Sequence, residues 1–175
     1  MWRFGYTDSI MLPVFAEARP GGAAPTRDFT VATFVVWDGR VLLLYHRKLS
    51  MWLPPGGHIE KDELPDDAAV REVLEETGIQ VQLVGERGPE MVGGPRALTR
   101  PVGIQLETIR PGHEHIDLIY LARPTEGGPL QPAPSPECEG AGWYAPDQWE
   151  GLGVNDEVRA WCARAIAEAP EISQR

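Results

Sequence analysis

The chain has 175 residues, 42% of them hydrophobic and 24% charged, which is the composition of a folded domain that buries a core of its own. Its formal net charge of −10 disfavours a nucleic-acid polymer or an anionic membrane as the partner, because both would repel it. No apolar run approaches the roughly 18 residues of a membrane-spanning helix, and the two cysteines lie far apart without metal-ligand spacing, so we expect reduced thiols in a cytoplasmic protein.

The chain is predicted to divide into an N-terminal segment with a linker, residues 1–28, and one main domain, residues 29–175. The linker is PGGAAPT, whose glycines and prolines are typical of a flexible connection. In the domain, the apolar runs FTVATFVVW and VLLLYHR flank Asp38 and Gly39, a pair that is a strong signal for a β-hairpin. A polar loop, LPPGGHIEKDE, follows. Further strands are predicted at residues 79–85, 102–109, 116–123 and 140–144.

A first helix is predicted over residues 65–77. Pro65 suits the first helical position, and Gly78 suits the exit from the helix. At about 100° per residue, one face of this helix is apolar and the opposite face is acidic. The apolar face consists of Val70, Val73, Leu74 and Thr77, and the acidic face consists of Glu72, Glu75 and Glu76.

A second helix is predicted near the end of the sequence, between Asn155 as its N-cap and Pro170 as its stop. Its apolar residues recur every three or four positions, and they include Cys162, which we therefore expect to be buried. Strands combined with these two helices indicate an α/β layered domain.

The acidic face of the first helix has two interpretations. The simpler one is an ordinary solvated helix face. Against it, Glu72 and Glu76 form a like-charge pair at i,i+4, which costs roughly a few tenths of a kcal/mol, and no lysine lies within reach on that face. Oxygen ligands without nitrogen or sulfur suit hard divalent cations such as Mg²⁺ or Mn²⁺ rather than zinc. The repulsion is explained if a cation relieves it.

Residues 57–79 resemble the signature of the Nudix hydrolase family. That signature is a glycine, five residues, a glutamate, seven residues and then R-E-U-x-E-E-x-G-U, where U is aliphatic. Here Gly57 and Glu63 are followed by REVLEETGI at residues 71–79, so every specified position is met. The resemblance implies an α/β fold of the Nudix type, which is an α/β/α sandwich with a mixed central sheet.

The resemblance also implies an enzyme, a Mg²⁺-dependent pyrophosphohydrolase in which Mn²⁺ can replace Mg²⁺. Its substrate would be a small molecule in which a nucleoside diphosphate is linked to another moiety, such as a nucleoside triphosphate, and it would be cleaved by attack of a metal-activated water. The implied metal ligands are Glu72, Glu75 and Glu76, with the Gly57 carbonyl as a further ligand. The implied catalytic residues also include Glu63 and Arg71, where Glu63 would orient Arg71 or reach the metal through water.

The run GHEHID, residues 112–117, is the obvious second site. On a strand, His113, His115 and Asp117 share one face and Glu114 lies on the other, so the four groups cannot all reach one ion. Two interpretations remain: a His/His/Asp zinc site, or a family-like role for Glu114 or His115 beside the phosphates. Glu114 is our candidate, and the general base lies either on the first helix or on a distant loop such as this one.

Arg47 either binds a phosphate through its planar guanidinium group or is an exposed arginine at a strand end. Substrate markers outside the signature are weak, so an ADP-ribose or nucleotide-sugar pyrophosphatase is an alternative within the enzyme class. Outside that class, the alternative is a catalytically silent Nudix module that only binds or senses nucleotides. The oligomeric state stays open, and a homodimer is compatible with the sequence.

Overall fold

The structure is a computed structural model that describes residues 24–133, 135–136 and 138–169. Residues 1–23 of the predicted N-terminal segment lie outside the described residues. Within the described ranges, eight strands form one sheet, and two α-helices accompany it. In chain order the strands are β1 Thr26–Trp37, β2 Arg40–His46, β3 Met51–Leu53, β4 Gly56–His58, β5 Val81–Val84, β6 Gly103–Arg110, β7 His113–Pro124 and β8 Cys138–Tyr144. The helices are α1 Pro65–Thr77 and α2 Asp156–Glu168.

The sheet is mixed, because its central strands β1 and β7 run parallel while the other strand pairs in the described part of the chain are antiparallel. The parallel register starts at the pair Thr26 and His113. The predicted hairpin joins β1 to β2. Asp38 and Gly39 have φ values of 50° and 68°, as a two-residue turn between twisted strands requires.

The two helices cover opposite faces of the sheet, which gives the predicted α/β/α sandwich. On one face, Phe34 and Ile119 pack with Cys162 of α2. On the other face, Val35 packs with Val73 of α1. Because side chains alternate along a strand, even-numbered residues of β1 and odd-numbered residues of β7 face α2, and their neighbours in sequence face α1.

Helix α1 has the predicted bounds, and Gly78, with a φ of 71°, ends it. Its buried face differs from the prediction. Val73 and Thr77 are buried as predicted, but Leu74 is 43% exposed. The row that meets the sheet is Ala69, Val73 and Thr77, spaced four residues apart, so Leu74 lies about 100° around the helix from Val73 and points away from the sheet.

The four further strands and the second helix are confirmed, with small shifts of their bounds. Pro170, the predicted stop of that helix, lies outside the described residues. Asn155 caps α2 as predicted, since its Oδ1 accepts a hydrogen bond of 2.7 Å from the Val158 N–H. Cys162 is a free thiol and is buried as predicted, and Cys138 is buried as well. No helix in the described ranges is long and apolar enough to cross a membrane.

Strand β1 begins at Thr26, three residues before the predicted start of the domain at residue 29. The extra residues belong to the strand because Thr26, Arg27 and Asp28 pair with the first residues of β7. The parallel pairing therefore brings polar side chains from the starts of two strands to one end of the sheet.

Candidate active site

Glu72 of α1 lies directly against Gly57 of β4. Gly57 is held opposite Val31 by the antiparallel pairing of β4 with β1. A Cβ atom on Gly57 would lie 2.5 Å from Oε1 of Glu72, so a larger residue would displace the carboxylate. The Glu72 side chain is only 13% exposed. The solvated-face interpretation therefore does not hold for Glu72.

Arg71 joins the acidic groups of this region into one network. Its Nε and Nη2 donate to the two carboxylate oxygens of Glu63, at 2.7 and 2.9 Å. Its Nη1 donates to Glu72 at 2.8 Å and to Glu75 at 3.1 Å. Its Nη2 also donates to the His58 carbonyl at 3.0 Å. One guanidinium group thus contacts three carboxylates, and the planar fork fixes their relative positions.

The pKa values of the two better-buried carboxylates of the network shift in opposite directions. The hydrogen bond from Arg71 lowers the pKa of Glu63, and the hydrogen bond from the Glu60 N–H acts in the same direction. Burial raises the pKa of Glu72, although Arg71 opposes this effect. The charged form of Glu72 is therefore incompletely compensated by Arg71, and a further cation would stabilise it.

Glu76 is held from two sides. One oxygen of its carboxylate accepts a hydrogen bond of 2.9 Å from the Gly56 N–H, next to Gly57. Its backbone carbonyl accepts from the Ser135 N–H at 3.0 Å, and the Thr77 carbonyl accepts from the Ala133 N–H at 2.8 Å. The loop before β8 thus satisfies carbonyls at the C-terminal end of α1 that lack partners within the helix.

Glu114 lies on the α1 face of β7. By the alternation along this strand it shares a face with Leu118 and Tyr120, and these pack in the cluster that contains Ala68 of α1. Its carboxylate accepts a hydrogen bond of 2.8 Å from Nε of Arg27, the residue opposite it on β1. The structure therefore places Glu114 on the same side of the sheet as the glutamates of α1.

Arg47 follows β2 and is largely exposed. Its Nε lies 3.5 Å from Oε1 of Glu139 on β8, and both side chains are more than half exposed. Within the described residues, Arg47 forms an ion pair with Glu139 and with no other carboxylate. The structure does not bring Arg47 into contact with the carboxylates of α1, and its predicted phosphate contact stays a prediction.

A family model described as NUDIX domain matches residues 26–165. The chain belongs to the Nudix hydrolase family. It is 29% identical over 139 residues to a MutT-like protein of Streptomyces ambofaciens, covering 79% of this chain and 77% of that protein. It is 43% identical over 60 residues to an m7GpppN-mRNA hydrolase of Danio rerio, covering 31% of this chain but only 20% of that protein. The crystal structure of a NUDIX family hydrolase from Clostridium perfringens matches with a TM-score of 0.71 and 30% identity, over 83% of this chain and 99% of that one.

Membership of this family implies a pyrophosphohydrolase, and the match includes the whole of residues 57–79. The structure brings five of the predicted site residues of this Nudix hydrolase into contact or adjacency with one another. These are Gly57, Glu63, Arg71, Glu72 and Glu75. The roles assigned to them remain predictions.

A second polar cluster lies on the opposite face of the sheet, which faces α2. His113 and His115 of β7 approach each other, with 3.2 Å between their Nε2 atoms. Oδ2 of Asp28 lies 3.6 Å from Nε2 of His113 and 3.7 Å from Nε2 of His58. Burial and the two neighbouring histidines lower the pKa of His115. Asp28 and His58 were not predicted as part of a site, although the parallel pairing of β1 with β7 makes Asp28 the partner of His115.

Asp117, which the strand alternation places with the histidines as a candidate zinc ligand, is not part of this cluster. It is buried, and its Oδ1 accepts a hydrogen bond of 3.0 Å from Thr30. Burial raises its pKa to about 6, with smaller contributions from Glu107 and Glu157, while the Thr30 hydrogen bond opposes the shift. The carboxylate that meets the histidines is that of Asp28 instead.

Proposed function

We propose that this Nudix hydrolase is a Mg²⁺-dependent pyrophosphohydrolase, with Mn²⁺ as a substitute, that cleaves a nucleoside diphosphate linked to another moiety. The substrate is a nucleoside triphosphate or a derivative of a nucleoside diphosphate. The observation that carries this proposal is the packing of Glu72 against Gly57, beside a network in which Arg71 contacts three carboxylates.

The residues present fit a hard divalent cation. The carboxylates of Glu72, Glu75 and Glu76 offer oxygen donors only, which is the ligand type that Mg²⁺ prefers. Arg71 carries one positive charge and contacts three carboxylates, so negative charge remains in excess. Because glycine has no side chain, the Glu72 carboxylate can lie directly against the β4 backbone at Gly57. The Glu75 side chain is 59% exposed, so solvent and ions can reach the carboxylates.

When bound there, Mg²⁺ would supply neutralisation of phosphate charge and acidification of a water molecule. The residues of the chain do the positioning. Arg71 holds Glu72 and Glu75 in fixed orientations, and Glu63 holds Arg71 through both of its oxygens. The Gly56 N–H fixes Glu76 beside them. Catalysis of phosphoryl transfer depends chiefly on such positioning and on charge stabilisation.

Proton transfer from the attacking water requires a carboxylate, and the chain offers two places for it. One is the group on α1, and the other is Glu114, which Arg27 holds on the same side of the sheet. Replacement of Glu114 by Gln distinguishes these two possibilities. If turnover falls strongly while metal affinity is unchanged, Glu114 is the general base. If turnover is unchanged, the general base is a carboxylate of α1.

The remainder of the substrate has room beside these groups. An open depression of about 700 Å³ has a lining that includes Arg27, Asp28, Phe29, His58, Ile59 and Pro65, and this volume lies in the range of small-molecule sites. Phe29 is exposed there. The Danio rerio relative is named for a substrate in which phosphates link two nucleosides, and its match with this chain is confined to 60 residues. That likeness supports the phosphate chemistry rather than a particular nucleoside.

The test is the release of phosphate and pyrophosphate from a panel of nucleoside triphosphates, nucleoside diphosphates, ADP-ribose, nucleotide sugars and dinucleoside polyphosphates. Each compound is assayed with Mg²⁺, with Mn²⁺ and with a chelator. We expect metal-dependent release from one class of compound. Tight nucleotide binding without release from any compound would reject the proposal in favour of a module that only binds nucleotides.

A further inference from the structure

Asp28, His58 and His115 converge on one point from three different strands. One ligand atom of each lies within 4.8 Å of the others. Asp28 comes from β1, His58 from β4 and His115 from β7. The side chains of Asp28 and His58 are about half exposed, at 51% and 59%, so a solute can reach the cluster.

The spacing of these groups suits a tetrahedral metal ion. Two ligands bound to zinc at its usual 2.0–2.1 Å lie roughly 3.3 Å apart in tetrahedral geometry. The Nε2 atoms of His113 and His115 are 3.2 Å apart, and Oδ2 of Asp28 lies 3.6 and 3.7 Å from Nε2 of His113 and of His58. The ligand atoms of Asp28, His58 and His115 lie within 4.8 Å of one another, so side-chain movements of up to about 1.5 Å would bring them to this spacing around one ion.

The chemistry of the donors separates this cluster from the carboxylates of α1. Imidazole nitrogens combined with a carboxylate suit zinc and similar transition metals, whereas Mg²⁺ prefers oxygen donors alone. The two clusters also lie on opposite faces of the sheet. The space at Gly57 is filled by Glu72, and the next residue, His58, points to the other face, where it lies near Asp28 and His115.

His113 is already oriented as a metal ligand would be. Its Nδ1 lies 2.9 Å from the hydroxyl of Thr26, and that hydroxyl donates to the Gly112 carbonyl at 3.3 Å. A Thr26 hydroxyl that donates to the Gly112 carbonyl can accept from Nδ1–H of His113, and in that tautomer Nε2 of His113 keeps its lone pair for a metal. Hydrogen bonding of the distal ring nitrogen is the usual way in which proteins orient histidine ligands.

We infer that Asp28, His58 and His115, with His113 as the neighbouring fourth donor, bind one transition-metal ion of the zinc type. The site joins β1, β4 and β7 on the face opposite the carboxylates of α1. It is separate from the proposed Mg²⁺ site, and it requires no hydrolase activity.

The test is calorimetric titration of the full chain with Zn²⁺ in a large excess of Mg²⁺, which occupies oxygen-donor sites. Bound Co²⁺, followed by its visible absorption, reports nitrogen ligation independently. We expect one equivalent of tightly bound Zn²⁺. Each of His58→Gln and His115→Gln should weaken binding by about a hundredfold or more, and Thr26→Val by roughly tenfold.

Two variants serve as matched controls. His46 is the one histidine of the chain outside the cluster, so His46→Gln should leave Zn²⁺ affinity unchanged. Glu72→Gln should leave it unchanged as well, which separates this site from the proposed Mg²⁺ site. Asp28→Asn removes the charge of the third proposed ligand at a half-exposed position, so it should weaken Zn²⁺ binding without a folding defect. Melting in the presence of a chelator checks that each variant is folded.

The inference is overturned if the wild-type chain binds no Zn²⁺ under these conditions. It is equally overturned if Zn²⁺ binding survives in the histidine variants or is lost in Glu72→Gln, since the ion would then lie among the carboxylates. Failure of the hydrolase assay leaves this readout unaffected, because metal affinity and Co²⁺ absorption are measured without substrate.

Discussion

Helices α1 and α2 share most of their sequence features and differ in what their polar faces meet. Each has 13 residues, acidic residues in its first turn and an apolar stripe against the sheet. In α2 the i,i+4 pair of Arg164 with Glu168 is exposed to solvent. In α1 the polar face turns towards β4, where Glu72 is buried against Gly57. What distinguishes α1 from α2 is therefore the backbone that approaches its acidic face, and not its charge alone.

The largest expected effect is that of Glu76→Gln in α1. Gln keeps an oxygen that can accept the hydrogen bond from the Gly56 N–H, but it lacks the charge needed to bind a divalent cation. We expect turnover with Mg²⁺ to fall by orders of magnitude, about 10³-fold if transition-state charge stabilisation is lost. The measurement is kcat on the substrate class found by the panel assay, together with thermal melting.

The matched control is Glu168→Gln in α2, which removes one charge from an exposed pair with Arg164. Such pairs contribute little to stability, so turnover and melting should be unchanged. If Glu76→Gln behaved like this control, the two helices would be equivalent and the assignment of the site to α1 would be wrong.

The next largest effect is expected from Gly57→Ala. The new methyl group would lie 2.5 Å from Oε1 of Glu72 and would push the carboxylate out of place. A displacement of about 1 Å at a reacting centre costs on the order of a hundredfold in rate, and Mg²⁺ affinity should fall as well. Steady-state kinetics over a range of Mg²⁺ concentrations measures both effects.

Gly140→Ala is the control for this substitution. A methyl group at Gly140 would meet nothing closer than an atom of Trp52 at 4.0 Å, so activity should be retained. Full activity of Gly57→Ala would show that the close approach of β4 to α1 is not what makes the acidic helix a site.

The bounds of α1 and of the first hairpin could be predicted because their signals are local. Pro65 and Gly78 mark the two ends of the helix, and Asp38 with Gly39 specifies the turn. Arg71 with its glutamates could be found because the resemblance to a known family covers one continuous segment. The sequence predicts a loop where the short strand β4 lies, since three residues rich in glycine carry no periodic signal.

The parts of the site that could not be predicted depend on pairing between distant segments. The burial of Glu72 and the exposure of Leu74 follow from where the sheet lies beside α1, and helical periodicity alone does not fix that direction. Asp28 joins His115 through the parallel pairing of β1 with β7, whose partners in this region are 87 positions apart in sequence. The contact of Arg47 with Glu139 likewise requires β8 beside β2.

Asp117→Asn tests a buried carboxylate on the α2 face, with which no arginine of the described residues pairs as Arg71 does with Glu72. Its pKa is raised from 3.8 to about 6, chiefly by burial. Below about pH 4 Asp117 is protonated in both states and contributes fully to the free energy of unfolding. This contribution is lost as the pH rises from about 4 through about 6. The loss amounts to about 3 kcal/mol. Asn keeps an acceptor for Thr30 and carries no charge, so the variant should be more stable than wild type at about pH 8 and equal to it at about pH 4.

Urea unfolding at the two pH values, with a chelator present, measures this difference. The exposed Asp147→Asn is the control, since its carboxylate is solvated in the folded and unfolded states alike. A gap between Asp117→Asn and wild type that did not widen with pH would mean that Asp117 is compensated in the folded chain by a group on the α2 face.

The smallest effect is expected from Asn155→Ala at the start of α2. The substitution removes the hydrogen bond of 2.7 Å to the Val158 N–H, and loss of an N-cap costs about 1 kcal/mol. Chemical denaturation should show this loss in the free energy of unfolding, while turnover well below the melting temperature stays at the wild-type level. Helix α1 has Leu64 at the same position, without a side-chain hydrogen bond, and relies on Pro65 and its packing. A loss of turnover in Asn155→Ala would show that α2 takes part in the reaction, and the contrast between a structural and a functional acidic helix would fail.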